Sequence, residues 1–182
     1  MSENKPLLKT VRQSDVFPKL PNSDVLFEDR LTGKSIIVDN NHDIALVGTT
    51  VNYIYTLPGG GIDVNESIEE GIVREAKEET GCTVKLDSIL GVIEDYRNRD
   101  KKHCISYCGL AHVIQKGEPE LIEYEKKNGL HVKWVSVEEA FSILSEEIQR
   151  VREGKIDFYN TAYNIVRDYE FLSYFINNKA RN

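Results

Sequence analysis

A chain of 182 residues, with 40% hydrophobic and 29% charged side chains, has room for one domain with some decoration. That composition excludes a wholly disordered chain, a collagen and a polytopic membrane protein, and no stretch approaches the ~20 apolar residues of a bilayer span. Thirty acidic against 23 basic residues leave a net charge of −7 and a pI of about 5.2, which argues against a duplex nucleic-acid partner.

The first ten residues, MSENKPLLKT, carry no apolar core of the kind a secretory signal has, so a cytoplasmic location is expected. Cys82, Cys104 and Cys108 are read as free thiols, because no second Cys or His pair stands at zinc-ligand spacing. Pro6, Pro18 and Pro21 sit among polar neighbours, so residues 1–30 are expected to form an arm, loosely ordered or laid along the main domain.

Ser35–Asp39 and Asp43–Gly48 are short β-branched and aliphatic runs around the turn residues NNH, the pattern of a hairpin. Val51–Pro58 alternates and stops at a proline, which predicts a third strand. Gly59–Gly60–Gly61 then breaks the chain. Ser67 with Glu70 is a capping box opening a helix that Thr80–Gly81 closes. Thr83–Glu94, His103–Ile114 and Leu130–Val135 are predicted strands. Ser136 with Glu139 opens a further helix, running to about Gly154. From Asp157 to Asn177 apolar residues recur at spacings of three and four, predicting an amphipathic helix that either docks on the domain or builds a homodimer. The order implies an α/β fold with a mixed β-sheet, divided as arm 1–30, domain 31–154 and C-terminal helix 155–182.

Charge is concentrated between Asp63 and Gly81, where seven acids face two bases. Glu75, Glu78 and Glu79 are offset by three and four, so they share one helical face with Cβ atoms ~5–6 Å apart. Like charges so placed repel, and hard oxygen donors on a rigid element suit Mg²⁺ or Mn²⁺. A solvated acidic face is the competing reading of a Glu-rich helix. The preceding glycines favour the metal, since they let backbone approach a ligand closely and leave a carbonyl free to donate. A glycine turn facing three carboxylates makes a cleft for a metal-bound diphosphate and for attack of water on phosphorus.

The segment Gly60–Cys82, GGIDVNESIEEGIVREAKEETGC, closely resembles the Nudix box. Its fixed positions are met by Gly60, Glu66, Arg74, Glu75, Glu78, Glu79 and Gly81, a coincidence on the order of 10⁻⁸ per start position by chance. Looser similarity runs over about 35–145, including Leu57–Gly60 and Lys133–Ala140. The resemblance implies a Nudix-type α/β/α sandwich and hydrolysis of a nucleoside diphosphate linked to another moiety. It also implies residue roles. Glu75, Glu78, Glu79 and the Gly60 carbonyl would ligate the divalent metal, with Glu75 or a nearby carboxylate as base. Glu66 and Arg74 would form a buttressing ion pair. Glu123 or Glu125 would supply the acid that many members carry on a later loop. Gly59, Gly60, Gly61 and Tyr55 are expected to meet the substrate.

The box is silent on what the diphosphate is attached to. No proline lies between Cys82 and Pro119, which lowers the ADP-ribose option; Tyr96 and Tyr107 are weak pointers to dinucleoside polyphosphates. The leading expectation is a (d)NTP pyrophosphohydrolase giving NMP and pyrophosphate. The alternatives are an ADP-ribose, nucleotide-sugar or dinucleoside-polyphosphate hydrolase and, from another class, a nucleotide sensor that binds without cleaving. Phe27, Tyr53, Tyr55 and Trp134 are the aromatic candidates for stacking on a base. The basic run Arg97–His103 is either a solvated hairpin loop or a contact for substrate phosphates.

Overall fold

A computed structural model describes residues 5–23, 25–156 and 158–179. Residues 1–4 and 24 of the predicted arm, and the predicted helix start at Asp157, lie outside the described residues. The elements run β1 (Leu7–Val11), α1 (Gln13–Val16), β2 (Glu28–Val38), β3 (Ile44–Thr49), β4 (Tyr55–Thr56), α2 (Ile68–Thr80), β5 (Thr83–Arg97), β6 (Lys102–Gln115), α3 (Glu123–Lys127), β7 (Leu130–Val135), α4 (Val137–Arg152) and α5 (Tyr159–Lys179). The strands form one mixed sheet in the order β1-β5-β6-β2-β3-β4, with β7 also on β3.

Strand alternation divides the core between the two faces of this sheet. Ile36, Val38, Ile44 and Leu46 point to a cluster completed by α4 and α5, while Ile37, Ala45 and Ala111 point to one completed by Ala76 and Val73 of α2. Helices therefore cover both faces, the α/β/α arrangement. Tyr163, Phe171 and Leu172 of α5 are fully buried, and burial of such a side chain contributes roughly 1.5–3 kcal/mol. The apolar stripe of α5 is thus taken up within the chain.

Local signals placed several elements. Asp39 accepts from Asn41 N and Asp43 N, fixing the turn that joins β2 to β3. Ser67 and Glu70 cap α2 reciprocally, and Gly81 closes it at φ 72°. At α4 only half of the predicted box forms: Ser136 accepts from Glu139 N, but the Glu139 carboxylate turns to Lys133.

Three features depart from the sequence expectation. Residues 7–11, expected within an arm either loosely ordered or laid along the domain, form a strand parallel to β5. Val51–Pro58 yields just two strand residues, because Tyr53 N bonds back to Thr49 O and the first half of the segment becomes a turn. The strand predicted at Ser35 begins seven residues earlier. β2 runs parallel to β6 over its whole length, from Glu28↔Lys102 to Val38↔His112, and that partner is distant in sequence.

Candidate active site

Helix α2 presents its acids toward the glycine turn. Arg74 sits at their centre and commits all five of its N–H donors. Nε and Nη2 grip Glu66 at 3.0 and 2.7 Å, Nη1 reaches Glu75 Oε1 and Glu78 Oε2 at 2.9 Å each, and Nη2 also meets Gly61 O at 2.8 Å. The bidentate hold by Arg74, with a bond from Asp63 N, draws the Glu66 carboxyl down to about 2. Glu70 is occupied by Ser67 and takes no part.

The glycine turn packs directly on these acids. Gly59 N donates to Glu79 Oε2 at 2.6 Å, and Gly59 O accepts from Lys34 Nζ at 2.7 Å. Gly59 has φ 130°, and a Cβ there would stand 2.9 Å from Lys34 Cα and well inside contact with Gly33 O. Only glycine fits. A Cβ on Gly60 would lie 2.7 Å from both carboxylate oxygens of Glu75. Backbone and carboxylate therefore meet with no side chain between them.

Burial pushes Glu79 up to about 7, against the pull of Lys34 and the Gly59 N–H and with the repulsion of Glu75 and Glu125 added. Burial likewise raises Glu75, against Arg74 and Lys34. Both acids are thus strained as anions where they stand.

Among the described residues, no three acidic, His or Cys side chains converge as a ready cage for a metal ion. The geometry shows why: Glu75 and Glu78 lean to Arg74, and Glu79 leans to Gly59. Even so, one oxygen of each glutamate (Glu75 Oε2, Glu78 Oε1 and Glu79 Oε1) carries no hydrogen-bond donor among the described residues. The Gly60 carbonyl accepts one bond, from Gly33 N at 3.0 Å, and keeps its second lone pair. Three under-satisfied carboxylates on one helix face fit a hard divalent cation.

The remaining sequence candidates separate. Glu125, on the five-residue helix α3, lines a cavity of about 210 Å³ together with Glu79, Asn128 and Asn164. Glu123 is exposed and lies outside it. Tyr55 bonds to His131 Nε2 at 3.1 Å and lines neither this cavity nor the larger one across the glycine turn. The other stacking candidates are placed likewise. Phe27 meets Tyr96 edge-on, Tyr53 is exposed, and Trp134 lies under Lys116 at 3.9 Å. Sequence reasoning missed Lys34, Asn164 and Arg167, which reach the glycine turn or the cavities beside it. No local sequence signal singles them out, since each stands among other polar residues of its element.

The NUDIX domain family profile matches residues 30–159, and the chain belongs to that family. It is 36% identical over 81 residues to an ADP-ribose pyrophosphatase of Methanocaldococcus jannaschii, covering 43% of this chain and 48% of that protein. It is 37% identical over 68 residues to a putative 8-oxo-dGTP diphosphatase of Bacillus subtilis, covering 37% and 46%. It is also 32% identical over 93 residues to diphosphoinositol polyphosphate phosphohydrolase 3-alpha of Mus musculus, covering 50% and 52%. The chain spans about half the length of these relatives. Its fold is similar to that of a NUDIX hydrolase from Nitrosomonas europaea, with a TM-score of 0.55, 16% identity and coverage of 78% and 88%.

Proposed function

We propose that this chain hydrolyses a phosphoanhydride bond in a nucleoside diphosphate derivative, with divalent metal, and that its substrate is a (d)NTP cleaved to NMP and pyrophosphate. The observation that carries the reading is the packing of the glycine turn on Glu75 and Glu79, which together with Glu78 each keep a free oxygen. The three relatives support the bond type, since a diphosphate is the element common to their names. ADP-ribose, a nucleotide sugar or a dinucleoside polyphosphate are the alternatives that share this bond.

In this reading Glu75, Glu78, Glu79 and the Gly60 carbonyl hold Mg²⁺ or Mn²⁺. Bound there, a dication supplies Lewis-acid polarisation of the phosphoryl oxygens and neutralises diphosphate charge. Arg74 fixes the rotamers of Glu75 and Glu78 while Glu66 anchors Arg74 in turn. The proton of the attacking water passes to Glu75 or to a nearby carboxylate, at an oxygen that the metal does not occupy. The three cysteines are buried and unpaired, which supports a reducing, cytoplasmic setting. Among the described residues no helix is long and apolar enough to cross a membrane.

A panel of (d)NTPs, ADP-ribose, nucleotide sugars and dinucleoside polyphosphates, with Mg²⁺ or Mn²⁺ and products resolved by mass, tests this. Turnover with release of pyrophosphate is expected, and Glu75→Gln should lower kcat by about 10²–10⁴-fold without unfolding the chain. Saturable binding of an uncleaved nucleotide would make the protein a sensor and overturn the hydrolytic reading.

A further inference from the structure

Across the glycine turn from the glutamates lies a second cavity of about 280 Å³, closed on one side by α5. Its lining includes five cationic residues, Arg30, Lys34, Arg97, Lys102 and Arg167, against one acid, Asp100, in a chain whose net charge is −7. Among the described residues no aromatic side chain lines it. The cavity therefore offers nothing for a base to stack on and much for an anion.

Most of the nearby acids already have partners. Asp95 holds Arg97 through two bonds, at 2.6 and 3.2 Å. Asp100 accepts from Arg99 Nε and Asn160 Nδ2. Glu28 pairs with Lys102. The buried Asp168 accepts from Leu57 N and Arg167 Nε and lies 3.9 Å from Lys34 Nζ.

Two guanidiniums remain. Arg167 is only 3% exposed, yet it bonds to Asp168 through Nε alone. Neither of its terminal amino groups has an acceptor among the described residues, and the side chain lines the cavity. Neither nitrogen is sealed from the cavity, so both stand as free donors that an anion entering it can satisfy. Arg30, exposed at the mouth, has no acceptor among the described residues either, and its Nη2 lies beside Gly61. Asn164 adds a third donor. Its Oδ1 is taken by Arg97 Nη2 at 3.0 Å, which fixes the amide orientation and leaves Nδ2 to donate.

We propose that this cavity is a phosphate-binding subsite, built by α5 onto the sandwich, and that the substrate carries a phosphate group beyond the diphosphate that is cleaved. The inference rests on the hydrolytic reading for its place in catalysis, and on the free donors of Arg30, Asn164 and Arg167 for its chemistry. Lys34 joins the two regions, since its ammonium lies against Gly59 O, whose own N–H holds Glu79. A phosphate chain running over the glycine turn would place one anhydride at the glutamates and its terminal phosphate in this cavity. The same chemistry is offered by the γ-phosphate of a nucleoside triphosphate and by a phosphate ester on a polyphosphorylated polyol diphosphate.

Two measurements test the subsite. Inorganic tripolyphosphate is titrated into the whole chain in EDTA, by calorimetry. Saturable binding is expected, retained in Glu78→Gln and weakened about tenfold or more in Arg30→Gln and in Arg167→Lys, which keeps the charge but loses the fork. Arg30 is exposed and unpaired, so its variant folds whatever becomes of Arg167. Undiminished binding in both variants overturns the proposal. In turnover, the same variants should lower kcat/KM about tenfold for a nucleoside triphosphate or a polyol polyphosphate diphosphate, whichever the wild type prefers, and spare ADP-ribose, which has no further phosphate. Equal losses on all three overturn the subsite while leaving the hydrolase reading intact. A wild type that cleaves none of them refutes the hydrolase reading, and the tripolyphosphate titration still decides the cavity.

Discussion

Replacing the three glycines of the turn one at a time by alanine should give three different results. Gly59→Ala forces a Cβ against Gly33 O and to within 2.9 Å of Lys34 Cα, both backbone, at φ 130°. The dihedral alone costs about 1–3 kcal/mol, and displacing packed backbone costs a further ~1–3 kcal/mol. A loss of roughly 2–6 kcal/mol lowers Tm by about 4–24 °C in a chain of this size. Gly60→Ala instead meets the far end of a flexible Glu75 side chain, 2.7 Å from both oxygens. The carboxylate can rotate away, so Tm should move by only about 2 °C, while turnover falls sharply because Glu75 Oε2 leaves its place. Around Gly61 the nearest atom is Arg30 Nη2 at 3.6 Å, and φ is not in the left-handed region. Gly61→Ala should therefore be nearly silent in Tm. Thermal denaturation in EDTA separates the stability effects from metal binding, and steady-state kinetics on the preferred nucleotide reads the rest. Equal destabilisation by all three, or a Gly59→Ala protein as stable as wild type, would refute this account of the turn.

Two other predictions concern buried charge. Asp168→Ala removes the anion that serves Leu57 N, Arg167 and Lys34, leaving two buried cations without it; a cost of about 3–5 kcal/mol is expected, and chemical denaturation giving less than about 1 kcal/mol would contradict it. Burial raises the Glu147 carboxyl, outweighing its pairing with Arg150. A raised carboxylate binds its proton more tightly in the folded state, so its ionisation at neutral pH disfavours folding. Glu147→Gln should accordingly raise Tm at pH 7, and the gain should vanish as pH falls below the unfolded value near 4.5. A gain that persists at pH 3 would point to packing instead.

Helix α2 and its acids were legible in the sequence because every signal there is local. The caps, the three-and-four spacing and the glycine stop all lie within one 25-residue window, and the Glu66–Arg74 pair spans only eight residues. The strands β3 and β7 were legible for a similar reason, since alternation is a property of neighbours. The choice between Glu123 and Glu125 was not, because both acids open the same short helix and only their orientation toward Glu79 distinguishes them.

The sequence by itself determined the family and the acid-bearing helix, both of which rest on patterns among residues close along the chain. Tertiary structure alone decided that residues 7–11 add a parallel edge to β5, and that α5 returns across the sheet to set Asn164 and Arg167 beside Lys34 and the glycine turn. Those neighbours are more than 80 residues apart in the chain, and the pairing of side chains at that separation is fixed by how sheet and helices pack, a quantity no local pattern encodes.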